Sequence, residues 1–116
     1  MQLPTNFEAL IKQADALDLY KKLILQLNKD FLLANIDLAF HEAIAPLSLK
    51  LLLHETVYKL IQERFSDYLN LLYIIDVPEA QIKALDGSSD TIKLSEDVAF
   101  LILKREWQKV WYRHQY

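Results

Sequence analysis

His41, His54 and His114 are the side chains of this sequence best suited to bind a metal or to carry a proton near neutral pH. A metal site needs two or more ligands at helical or loop spacing, and a His-Glu-x-x-His pattern is absent. His41-Glu42 and His54-Glu55 are adjacent pairs, which diverge by about 100° on a helix and cannot close on one ion. No Glu precedes a His by three residues, so the carboxylate pattern of di-iron bundles is missing too. His54 falls on an apolar helical stripe and reads as a hydrogen-bonded boundary residue. His41, with Asp37 and Glu42 nearby, is the one local polar cluster. Together with His54 and the tyrosines it defines an alternative reading, a small-molecule binder or enzyme built on a pocket. No metal or cofactor is expected.

Other chemistries find less support. There is no cysteine, and no serine stands in a glycine-flanked nucleophile elbow. Gly87 is the single glycine, which rules out a phosphate-cradling glycine loop. Glu63 and Asp67 lie one helical turn apart beside Lys59 and Arg64, the setting of solvated charges. Residues 104–113 interleave Lys104, Arg105, Lys109 and Arg113 with Trp107, Trp111 and Tyr112, which suggests rings and cations for stacking on nucleic acid. Helical geometry separates the two sets. Phe100, Leu103, Trp107, Val110 and Trp111 share an arc of roughly 100°, and Arg105, Lys109 and Arg113 fall elsewhere. The expectation is an amphipathic helix with its tryptophans inward and a solvated basic face, not a nucleic-acid surface.

The elements that must carry these residues are helical. The chain has 116 residues, 53% of them hydrophobic and 25% charged, with one glycine and three prolines. That is enough chain for one core without disulfides, and too little turn material for an all-β fold. The net charge of −3 gives no strong attraction to nucleic acid. The longest apolar run, residues 98–103, is far short of the roughly 20 residues of a membrane span. The absence of cysteine and of an opening signal-like segment points to a cytoplasmic protein.

Periodicity predicts an all-α, single-domain bundle of about four helices spanning residues 1–116. A first helix opens after a cap at Thr5 or Asn6 and runs toward Leu33, with a break conceivable between Ala14 and Asp18, where Asp15 or Asp18 would cap a second segment. A loosely patterned connection leads to Pro46. From there one long central helix is expected over residues 46–76, its apolar arc widened by Leu51, Leu53, Val57, Leu60 and Leu71. Asp76 reads as the cap of a short helix that begins at Pro78, residues 86–90 as a loop turning at Gly87, and Ser95 as the cap of the last helix.

The strings LQLNKDF (25–31), YLNLLYIIDV (68–77) and LKREWQKVW (103–111) resemble stretches of short bacterial helical proteins with no assigned activity. The resemblance covers most of the chain from about Asp18 and implies a small bacterial cytoplasmic protein. It carries no catalytic residue or cofactor across.

An apolar fraction above average in so small a bundle implies either an unusually full core or an exposed patch that marks a partner. The functional expectation is therefore a non-enzymatic interaction protein that self-associates, as a homodimer, or docks another helical protein. Leu53, Leu60, Leu71 and Trp111 are the residues whose positions would present that seam.

Overall fold

Asn6 opens the first helix. Its side chain accepts a hydrogen bond from the backbone N–H of Ala9 at 2.8 Å, and α1 extends over Phe7–Ala16. The computed structural model describes residues 2–85 and 90–116. Among them the chain folds as α1, then α2 (Tyr20–Leu33), α3 (Pro46–Glu63), α4 (Phe65–Ile75), α5 (Glu79–Lys83) and α6 (Thr91–Gln115), with no strand. Asn6→Ala removes this cap bond and is expected to cost about 1 kcal/mol, read as a lower urea midpoint at unchanged slope.

Three helices end in one way, and a chain with a single glycine explains it. Asp18, Asn35 and Asp76 have φ of 57°, 61° and 68°, the left-handed region that Asp and Asn tolerate better than other non-glycine residues. Each is followed by a residue whose N–H reaches back five positions: Leu19 to Ala14, Ile36 to Phe31 and Val77 to Leu72, at 2.8, 2.9 and 3.1 Å. Leu19, Ile36 and Val77 are buried, so each turn is closed by a backbone bond and anchored by an apolar side chain. This corrects two expectations. Asp18 closes α1 while α2 begins without a side-chain cap, and Asp76 ends α4 while Pro78 precedes α5.

The expected long helix over 46–76 is broken. Arg64, at φ −140° and ψ 60°, separates α3 from α4. The buried stripe of α3 is Leu49, Leu53, Val57 and Leu60, and an unbroken helix would bring Arg64 and Asp67 onto it next. The break re-phases the chain so that Tyr68, Leu71 and Ile75 are buried instead. Arg64 and Asp67 then pair with each other outside, Nε to Oδ2 at 2.7 Å.

The central element is α6, not residues 46–76. Its buried positions, among them Val98, Ile102, Leu103, Glu106, Trp107 and Val110, take up more than one face, and it packs on α1, α2, α3 and α4. Asp90 caps it by accepting from Lys93 N–H at 2.7 Å, so the helix starts a turn earlier than a Ser95 cap would place it. Trp107 is fully buried and donates its indole N–H to Gln13 of α1 at 3.1 Å. Residues 34–45 are held rather than loose. Asn28 bonds both the N–H and the carbonyl of Phe40 at 2.9 Å, and the Tyr20 hydroxyl donates to Ile44 at 2.6 Å. The turn expected at Gly87 lies outside the described residues. No helix among the described residues is long and apolar enough to cross a membrane.

Candidate functional site

The two imidazoles singled out by sequence do not meet in one site. His41 lies in the connection before α3, exposed, and its Nδ1 accepts from the N–H of Ala43 at 3.0 Å. His54, on α3, borders a cleft of about 460 Å³ with Phe7, Lys50, Leu53 and Phe100, and no tyrosine or His41 lines it. Among the described residues no three His, Asp or Glu side chains come together as a metal site.

His54 does approach a serine. Nε2 stands 2.8 Å from Ser95 Oγ and 3.1 Å from the carbonyl oxygen of Ile92, and Ser95 Oγ donates to that same carbonyl at 2.9 Å. A carbonyl can only accept, so Nε2 carries the hydrogen and Ser95 Oγ receives it. An imidazole protonated toward the hydroxyl cannot take the hydroxyl's proton. The serine is also fully buried, and among the described residues no carboxylate bonds to Nδ1. The pair ties α3 to the first turns of α6.

A cluster that the charge count passes over lies between α2 and α6. Asp30 and Glu106 are both buried, and Lys109 Nζ sits 2.7 Å from Asp30 Oδ2 and 2.7 Å from Glu106 Oε1. Gln26, also buried, donates to Asp30 Oδ2 at 3.0 Å and accepts from Arg113 Nη1 at 2.7 Å. Ionised, neither oxygen of Glu106 has a partner in hydrogen-bonding geometry, Lys109 being close but badly angled. Burial pushes its carboxyl up to about 8, helped by the neighbouring Asp30 and opposed by Lys109. Asp30 goes the other way. Burial would raise it, but bonds with Glu106, Lys109 and Gln26 outweigh that and hold it below the usual range. With the Glu106 carboxyl pushed up and the Asp30 carboxyl held down, the pair favours a single shared negative charge at neutral pH, which Lys109 balances. Register was the signal that could have found this cluster, because Glu106 comes four residues after Ile102 and four before Val110.

Above this network opens a second cleft, of about 330 Å³, lined by Lys22, Leu25, Gln26, Lys29, Val110, Arg113 and His114. The basic face expected to be merely solvated is thus engaged. Lys109 and Arg113 point into the α2 junction, and Arg105 Nη2 pairs with Asp76 at 3.2 Å while Nε bonds the Asp76 carbonyl at 2.9 Å.

The apolar seam residues divide as well. Leu53, Leu60 and Leu71 are consumed by the chain's own core, and Trp111 is half-buried against it. Large apolar side chains are exposed elsewhere. On α4, Phe65, Leu69 and Tyr73 are 55%, 51% and 83% exposed at i, i+4 and i+8. Leu32 and Leu33 project from the end of α2, which Arg64 Nη2 touches through the Asn35 carbonyl at 3.5 Å. No protein-family model, curated protein or solved structure matches the chain.

Proposed function

We propose that this protein is a non-catalytic interaction module that pairs with a second copy of itself through the exposed face of α4. The observation that carries this is the row Phe65, Leu69, Tyr73, three large side chains left open on one side of a single helix. Such a contiguous apolar row marks an interaction site more often than isolated exposed leucines do. A second copy suits it because the residues along its outer edge, Ser66 and Asn70, are uncharged. Two α4 faces related by a twofold axis would therefore meet apolar on apolar without like charges opposed. Leu32 and Leu33 stand at the end of α2 that lies beside the first turn of α4, positioned to extend the contact. The absence of cysteine suits a reducing cytoplasm as the setting.

Light scattering across micromolar concentrations tests the assignment. The wild-type chain is expected as a dimer, and Leu69→Glu combined with Tyr73→Lys as a folded monomer of unchanged helical circular dichroism. A wild-type monomer at every concentration, or a dimer indifferent to both substitutions, overturns it.

A further inference from the structure

Among the described residues most cations are paired with carboxylates, and three of the five that are not gather at one place. Among the described residues, eight of the basic side chains stand in ion pairs: Lys21, Lys50, Lys59, Arg64, Lys83, Lys93, Arg105 and Lys109. Of the five without a carboxylate partner, Lys12 and Lys104 stand elsewhere, while Lys22, Lys29 and Arg113 line the smaller cleft between α2 and α6, with His114 beside them. Among the described residues no carboxylate borders that cleft, although the whole chain carries −3.

Helix dipoles do not account for the arrangement. Arg113 and His114 stand in the last turn of α6, where cations are favoured, but Lys22 stands in the first turn of α2, where a carboxylate would be. The helices run antiparallel, since Asp30 meets Lys109 while Gln26 meets Arg113. Their terminal dipoles therefore oppose here, and the side chains set the field.

Arg113 is also positioned in advance. Gln26 takes one of its N–H groups at 2.7 Å, and Gln26 is itself buried and fixed to Asp30, which Lys109 holds. One edge of the guanidinium is committed, and its remaining donors are available to a planar or tetrahedral anion without a large entropy cost. Leu25 and Val110 add an apolar wall. At about 330 Å³ the cleft falls at the low end of the roughly 300–1,000 Å³ range of small-molecule sites.

We propose that the α2/α6 cleft binds a small soluble phosphate-bearing anion, with Arg113, Lys22 and Lys29 as its ligands and Gln26 as the residue that positions Arg113. A phosphoryl group, carrying about −1.5 to −2 charge, matches two lysines and a guanidinium better than a single carboxylate would. This site lies on elements other than the α4 face and does not depend on self-association.

Titration calorimetry and amide-shift mapping of the full chain at low salt test this with pyrophosphate as probe. Saturable one-to-one binding is expected, with shifts centred on α2 and the last turns of α6. Arg113→Met and the Lys22→Gln/Lys29→Gln pair should each weaken it about tenfold or more, the scale of losing a charge-assisted bond. Lys12→Gln and Lys104→Gln, which remove cations elsewhere, should leave it within about twofold. Should the control substitutions weaken binding as much as the cleft ones, or pyrophosphate fail to saturate, the site is refuted. Tight binding of a single-stranded oligonucleotide or of anionic vesicles with no saturable binding of pyrophosphate refutes it equally.

Discussion

Lys109→Met is expected to destabilise the protein by about 3–5 kcal/mol at neutral pH, because it leaves the Asp30 carboxylate buried with no cation. For a chain of this size that corresponds to a fall in Tm of roughly 10–20 °C. The magnitude comes from burial. The Asp30 side chain is only 6% exposed, so the lost attraction is not recovered by water, whereas an exposed pair such as Lys83–Glu79 would cost at most about 1 kcal/mol. The double change Asp30→Asn with Lys109→Met removes the orphaned charge along with its partner and should restore much of the loss, since a buried pair is worth little over neutral replacements. Urea unfolding of the two variants decides. A single change costing under about 1 kcal/mol would mean that water reaches Asp30 and that the cluster is not a closed part of the core.

The same cluster shows what a one-dimensional pattern carries and what it loses. Local signals place Trp107 in the core, Pro46 at the start of a helix and the first cap at Thr5 or Asn6, of which Asn6 serves, because each depends on neighbours within one or two turns. All-α architecture comes from the same local signals. The break at Arg64 is different, since apolar residues continue on both sides of it and only the phase of the stripe changes. A window that counts hydrophobic residues passes over that shift. Asp18 and Asp76 are ambiguous for a related reason, as an aspartate beside a helix boundary serves equally as the cap of the next helix or the left-handed close of the preceding one. Glu106 counts as one negative charge in a basic segment, although its register among Ile102, Leu103 and Val110 places it inside. Its partner Asp30 is 76 positions away along the chain. No spacing rule joins them; only the antiparallel packing of α2 and α6 does. The seam residues Leu53, Leu60 and Leu71 illustrate the converse, because an apolar arc wide enough to dock a partner is also what a helix shows when its own bundle surrounds it.

The protein's stability is expected to fall as pH rises through the neutral range because of Glu106, and Glu106→Gln is expected to abolish that slope. An ordinary glutamate ionises near 4.5, whereas this one is held protonated to about 8 in the folded chain. Folding therefore takes up a proton between those limits. Its stabilising contribution is complete below about 4.5, declines across the window by about 1.4 kcal/mol per pH unit at most, and is gone above 8. Asp30 has the opposite sign. Held below its ordinary value, it contributes stability that is present at neutral pH and is lost only in acid. Subtracting the variant's curve from the wild type's cancels the carboxylates remote from the cluster to first order; Asp30, which is coupled to Glu106, titrates in acid, so above about pH 5 the difference isolates Glu106. Glutamine keeps the size and offers an N–H to Asp30 in place of the acid proton, so near pH 5 the two proteins should differ by about 1 kcal/mol or less. By about pH 8 the glutamine variant should have gained on the wild type by up to roughly 4 kcal/mol. Parallel curves would place the proton elsewhere and leave a charged glutamate inside the core, a state whose desolvation Lys109 alone, at 2.7 Å and without hydrogen-bond alignment, is poorly placed to offset.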